Sequence, residues 1–183
     1  MKKPASSFFR RRKNKAREIP ITLQKKQPGK LVIEQTRDLA PVQAMLADAG
    51  MITDGLEWPP ACYIVAYFGT ELVGCVGVEP MLDAALIRSL YVIEAMRTRG
   101  IGAALVTAAR KAAHTRGAKS LYLFSTDAGG FFKRLGFIKV PVPQLVEALA
   151  GAPQVEYYRA RPDEFAREVA WYLDISQDGV ILR

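Results

Sequence analysis

The sequence predicts a mixed α/β fold, one sheet with helices on its faces, in a single domain. Three observations carry that prediction. Apolar runs suited to strands recur at 31–36, 62–67, 72–79, 84–92 and 120–125, and again near the end of the chain. Three of these runs follow one another through short turns, as an antiparallel meander does. Segments of helical period stand between the others, so crossover helices must join strands too. With 183 residues, 50% of them hydrophobic, the chain can bury a substantial core and needs no second domain.

The elements follow in order. "LVIEQT" (31–36) alternates as a strand. "RDLAPVQAMLADAG" reads as a helix, with Thr36 placed to cap it, Pro41 in its first turn and Gly50 to end it. "MITDGLEWPPA" is a loop interrupted by Pro59 and Pro60. "CYIVAY" and "LVGCVGVE" flank "FGTE", whose Gly69 supplies the turn of a β-hairpin. "AALIRSLYV" (84–92) returns after "PMLD". From 100 to 116 the period changes: Ile101, Leu105, Ala108, Ala109 and Ala112 mark one helical face, and Gly117 stops it. "SLYLFS" (120–125) is a strand, "AGGFFKRLG" a short helix ending at Gly136, and "FIKVPV" a strand. "PQLVEALAG" reads as a further helical segment and "VAWYLDI" as the last strand.

The net charge of +8 is unevenly placed. Residues 1–30 hold eleven Lys and Arg against Glu18 alone, so the remaining residues are slightly acidic. That stretch reads as a solvated extension, as a basic arm for nucleic acid or an acidic surface, or as an organellar transit peptide. It has no apolar run long enough for a secretory signal, and no stretch of the chain suits a bilayer span; the expected location is the cytoplasm. Cys62 and Cys75 match neither zinc spacing nor a disulfide framework and read as reduced, packed thiols. The only histidine, His114, lies late in a predicted helix without a triad or metal pattern around it. No metal is expected.

The chemistry concentrates in "RTRGIGAALV" (97–106), where two arginines and two glycines precede a helix. Free N–H groups and the dipole at a helix N-terminus hold anions, and glycine lets a ligand approach the main chain. Alternatively, Gly100 and Gly102 only permit a tight strand-to-helix turn. The Walker pattern is absent, and "GIGAAL" places Leu105 where a dinucleotide fingerprint needs its third glycine.

"RTRGIGA" instead matches [Q/R]-x-x-G-x-[G/A] and resembles the pyrophosphate loop of the GNAT superfamily of acetyl-CoA-dependent N-acetyltransferases. Upstream, "IRSLYV" resembles that family's bulged fourth strand, with L-x-V at Leu90 and Val92. Downstream, "SLYLFS" and "AGGFFKRLGF" resemble its second cofactor-contacting unit. The likeness is strongest over about 63–140, and the pattern is most similar to the arsenic-resistance N-acetyltransferase subgroup.

The resemblance implies a mostly antiparallel sheet of six to seven strands, with a V-shaped splay between two central strands. Residues 31–183 would form the acetyltransferase domain behind a tail, 1–30. Pantetheine would lie along the backbone of Leu90, Tyr91 and Val92. Pyrophosphate would rest on the turn of Arg97, Thr98, Arg99, Gly100, Ile101, Gly102 and Ala103. Ser125, Ala128, Phe131 and Phe132 would complete the cofactor contacts. The Val92 N–H would polarise the thioester carbonyl. Glu79 is the candidate base for the attacking amine, against an exposed strand-end carboxylate. Arg88 is the candidate grip for an acceptor's carboxylate, against a solvent-facing or ion-paired arginine. Where many members carry N-x-x-A-x-x-F-Y, this chain has "STDAGGFF": Ser125 replaces Asn and Phe132 replaces the acidic Tyr. That loss is expected in the arsenic-resistance-like subgroup.

The function implied is acetyl transfer by direct attack of a small amino-acid-like or xenobiotic amine, with a homodimer as the expected assembly. The rival readings are a protein or ribosome-associated acetyltransferase docking through the basic stretch, and a non-catalytic acyl-CoA-binding module.

Overall fold

A computed structural model describes residues 29–178. The predicted basic tail, apart from Gly29 and Lys30, lies outside the described residues. Among the described residues, seven strands form one sheet: β1 (Leu31–Thr36), β2 (Cys62–Phe68), β3 (Glu71–Pro80), β4 (Ala84–Val92), β5 (Ser120–Phe124), β6 (Ile138–Val140) and β7 (Ala170–Asp174). Their order is β1-β2-β3-β4-β5-β7-β6. All neighbours are antiparallel except β4 and β5. The helices are α1 (Ala40–Asp48), α2 (Ile101–Thr115), α3 (Gly129–Arg134), α4 (Val142–Ala148), α5 (Pro153–Arg159) and α6 (Pro162–Phe165). The expected mixed sheet with helices on both faces is the one observed.

The central strands are covered on both sides, which is why β2 to β4 read as near-continuous apolar runs. On one face α2 sets Ile101, Leu105, Ala109 and Ala113 over Ile64, Val76, Val78 and Ile87. These helix positions are four residues apart, and the alanines let the helix approach the sheet closely. On the other face Val42 and Leu46 of α1 pack with Tyr63, Val65 and Cys75. Nearby, Leu145 of α4, Leu149 just after it and Val155 of α5 cover Leu86 and Tyr122. The two cysteines are free, buried and assigned to opposite faces. Burial pushes the Cys75 thiol up to about 12 and raises that of Cys62 as well.

Helix ends follow local chemistry. Gly117 (φ 93°) stops α2 in a Schellman arrangement, with Ala118 N–H donating to Ala113 O and Gly117 N–H to His114 O. Thr36 does not cap α1. Its Oγ1 accepts the Asp38 N–H in a turn, and Asp38 Oδ1 then takes the Ala40 N–H at 3.2 Å. The helix therefore starts three residues later than the capping pattern predicted. Two short helices, α5 and α6, were not expected. Each starts at a proline, Pro153 and Pro162, where the missing N–H is tolerated and fixed φ favours the first turn.

One irregularity positions the site. Cys75 faces Tyr91 but Gly77 faces Arg88, so Ser89 and Leu90 together oppose Val76. Ser89 adopts φ 55° to make this bulge. Parallel pairing of β4 with β5 covers only Ala84 to Leu86 against Ser120 to Tyr122. Beyond Leu86, β4 runs on to Val92 without β5 beside it, and the two strands splay.

Candidate active site

The Ile93 N–H donates to Val73 O at 3.0 Å. Backbone groups alternate sides along an antiparallel strand, so those of Val92 turn the other way, into the gap that β5 leaves. Val92 O accepts the Arg97 Nε–H at 3.0 Å, which draws the arginine back over the end of β4. The turn into α2 then takes two left-handed residues, Thr98 (φ 63°) and Gly100 (φ 78°). Gly100 O takes the Ala104 N–H, and the helix begins without a side-chain cap. The N–H groups of Ile101, Gly102 and Ala103 are thus the donors that a helix leaves unpaired at its positive end.

Two cavities meet at the splay. One, of about 520 Å³, lies over the α2 turn and is lined by Leu90, Val92, Arg97, Gly102, Phe131 and Arg134 among others. The second, of about 380 Å³, lies deeper, with Arg88, Ser125, Phe132, Gln154, Tyr158 and Glu168 in its walls. Leu90 and Ala128 belong to both, so the two form one cleft along β4. Ser125 Oγ accepts the Ala128 N–H at 3.2 Å and braces the start of α3. Phe131 and Phe132, edge to face at 5.1 Å, divide the walls, one ring to each cavity.

Behind the deeper cavity sits a buried ion pair. Arg88 Nη1 donates to Glu79 Oε1 at 2.6 Å, and Glu79 Oε2 takes the Gln154 N–H at 3.3 Å. Arg88 also donates through Nη2 to the carbonyls of Asp54 (2.8 Å) and Ile52 (3.4 Å), and through Nε to Ser89 Oγ. Burial pushes the Glu79 carboxyl up, while Arg88 and then the Gln154 N–H pull it back. On the opposite wall, burial raises the Glu168 carboxyl, against the hydrogen bond with Tyr158 and with the help of Asp127 and Glu164.

Residues 59–139 match the model of the acetyltransferase (GNAT) domain. That stretch holds both strands of the splay, the α2 turn and α3. An uncharacterized N-acetyltransferase of Chlorobaculum tepidum is 32% identical over 79 residues, which is 43% of this chain and 50% of that relative. The match therefore spans half the length of that protein. Among solved structures, N-acetylglutamate synthase of Neisseria gonorrhoeae, complexed with coenzyme A and N-acetyl-glutamate, superposes with TM-score 0.61 at 19% identity. That match covers 81% of this chain and 36% of the synthase. A Mycobacterium tuberculosis protein in complex with CoA gives TM-score 0.60 at 20% identity, covering 78% of this chain and 98% of its own. A GNAT-family acetyltransferase of Staphylococcus aureus gives 0.60 at 13% identity, covering 80% and 99%. These likenesses are of fold.

Within the matched stretch, most residues expected at a cofactor loop come together: Leu90, Val92, Arg97, Thr98, Gly100, Ile101, Gly102, Ala103, Ala128 and Phe131 all line the outer cavity. Ser125 and Phe132 line the inner one with Arg88. Three expected residues line neither. Arg99 is exposed and lines neither cavity, and Tyr91 packs on the α1 face, its ring 5.8 Å from the Arg97 guanidinium. Glu79 is fully buried behind Arg88 rather than exposed at a strand end. Arg134, Asp127, Gln154, Tyr158 and Glu168 were not anticipated. Only Arg134 carried a signal, as a cation ending the short helix beside the loop. The rest come from loops and helices that no motif announces. Among the described residues, no group of three His, Cys, Asp or Glu is placed to hold a metal ion, and no helix is long and apolar enough to cross a membrane.

Proposed function

We propose that the chain is an acetyl-CoA-dependent N-acetyltransferase acting on a small amine. The observation that carries this is the juxtaposition, in one cleft, of the uncapped α2 N-terminus and the unpaired edge of β4. The first suits a pyrophosphate: three helix N–H groups, a left-handed glycine and the guanidinium groups of Arg97 and Arg134 surround it. The second suits pantetheine, whose amides can pair with the backbone of Leu90 to Val92 as an added strand would. The presence of coenzyme A in two of the structural relatives supports the same reading. When bound, acetyl-CoA supplies an activated acyl group.

The chain's own groups then act in sequence. The Val92 N–H faces the cleft as the donor for the thioester carbonyl oxygen. The inner cavity holds the amine, and the junction at Leu90 and Ala128 is where it meets the acyl group. No tyrosine stands at position 132 to protonate the departing sulfur. A thiol of pKa about 8.5 leaves without strong acid assistance, and the Ser125 hydroxyl keeps its own proton to donate. Both Glu79 oxygens have partners within the protein, so we assign Glu79 a positioning role: it holds Arg88, which ties the 52–54 loop against the cavity. The Tyr-less "GGFF" segment, shared in pattern with the arsenic-resistance-like subgroup, supports a small-molecule acceptor.

The test is release of free thiol from acetyl-CoA by the purified chain with a panel of small amines. Turnover of at least one small amine above the no-amine control is expected. Turnover confined to protein or peptide amines contradicts the proposal, as does none at all.

A further inference from the structure

The inner cavity indicates which class of amine the enzyme takes, an inference that rests on the acetyltransferase reading above. The charged side chains lining it are Arg88, Asp127 and Glu168. Arg88 is engaged: Glu79, Ser89 and the carbonyls of Ile52 and Asp54 already take its donors. Its charge is balanced by Glu79 at 2.6 Å, with both side chains shielded from solvent. What faces a ligand is therefore a pair of carboxylates. Asp127, in the loop after β5, and Glu168, just before β7, are brought together where two backbone-tethered segments meet. Ser125 N–H donates to Val169 O at 2.9 Å, and Thr126 Oγ1 donates to Arg167 O at 3.2 Å.

A second feature points the same way independently. Gln154, at the start of α5, lines this cavity, and its Oε1 is buried with no hydrogen-bond partner. A buried acceptor without a donor is costly, and a ligand N–H removes that cost. The remaining polar groups here are acceptors or can act as them, whereas a substrate carboxylate finds no free cation among the described lining residues.

We propose that the acceptor is a small di- or polyamine: one neutral amino group reacts at the Leu90–Ala128 junction, while a second, as ammonium, is held by Glu168 and Asp127 with Gln154 Oε1 accepting a further N–H. The reacting nitrogen forms the bond to the acetyl carbon. The C–S bond breaks with its electron pair going to sulfur, and the proton lost by the nitrogen passes to the thiolate through Ser125 or water. The products are the N-acetylated amine and the free thiol. The distal ammonium takes no part in the bond changes and serves recognition, where a carboxylate pair is worth most against a doubly charged ligand. An α-amino acid, whose carboxylate would meet this wall, is disfavoured by the same charges.

The experiment compares 1,4-diaminobutane, spermidine, butylamine and glutamate as acceptors for the full chain, with thiol release as readout and acetyl-CoA binding measured separately by calorimetry. The diamine or the polyamine is expected to exceed both butylamine and glutamate in kcat/KM by about ten-fold or more. Glu168→Gln is expected to raise the diamine KM with a smaller effect on kcat. Asp127→Asn, at an exposed position, is expected to do the same in part and serves if the first variant folds poorly. Acetyl-CoA binding with turnover of glutamate or butylamine in preference to the diamine overturns this inference alone. Absence of acetyl-CoA binding overturns it together with the acetyltransferase reading.

Discussion

Arg88 of β4 and Glu79 of β3 form a 2.6 Å ion pair in which neither side chain reaches solvent. They are diagonal neighbours in the sheet, since Arg88 faces Gly77 and Glu79 faces Leu86. Gly77 makes the room: a Cβ there would stand 2.6 Å from the Tyr63 ring and 3.0 Å from Arg88 Cγ.

Breaking this pair from one side leaves an uncompensated buried charge. Glu79→Ala is expected to cost about 3–5 kcal/mol, which lowers Tm by roughly 6–20 °C for a domain of this size. Replacing both partners, Glu79→Leu with Arg88→Met, is expected to recover part of that loss in thermal unfolding. A double variant less stable than Glu79→Ala contradicts the pairing account.

The positioning role has a kinetic signature. Glu79→Gln is expected to weaken amine binding through the 52–54 loop while the pH dependence of kcat keeps its shape. Loss of the acidic limb of the profile would instead make Glu79 the base.

Glu168 gives a pH prediction with a definite sign. Burial first, then Asp127 and Glu164, raise its carboxyl above the ordinary value, while the Tyr158 hydrogen bond opposes them. The folded state therefore favours the protonated form. That contribution is present in full below the unfolded pKa of about 4.3 and is lost as pH rises through the raised folded value. The stability of the native chain relative to Glu168→Gln should fall with rising pH across that window, measured by urea unfolding. A difference that is flat or grows with pH contradicts the assignment.

Much of this architecture was legible because each strand and the long α2 helix obey one period and end at a turn residue. Gly69, Gly117 and the 97–103 loop place themselves through local chemistry. What the sequence did not show depends on contacts between distant segments. β7 inserts between β5 and β6, and nothing in "VAWYLDI" names its partners. Arg88 and Glu79 are nine residues apart and read as two separate functional candidates; only the bulge at Ser89 and the space at Gly77 join them into one structural unit. The polar wall is assembled from Asp127 of the 125–128 loop, Gln154 of α5 and Glu168, two residues before β7, whose proximity is tertiary.

The α2 turn makes a separate prediction. Gly100→Ala places a Cβ on a left-handed residue, at a cost of about 1–2 kcal/mol. Space is not the obstacle, since nothing lies within 4 Å of that Cβ. The expected result is a modest loss of stability with a higher KM for acetyl-CoA. An unchanged KM contradicts the role given to the turn.

Of the arginines near this turn, Arg134 lines the outer cavity and Arg99 does not. Arg134→Ala is expected to weaken coenzyme A binding by about 1 kcal/mol, roughly five-fold, and Arg99→Ala by less. Calorimetry at low and moderate salt checks the order, and the reverse order contradicts the cavity assignment.

The most direct test is the structure of the chain with coenzyme A bound. The account predicts the pyrophosphate within hydrogen-bonding distance of the Ile101, Gly102 and Ala103 N–H groups, and the pantetheine arm along Leu90 to Val92 between β4 and β5. Coenzyme A bound elsewhere, or a chain that does not bind it at saturating concentration, would contradict it.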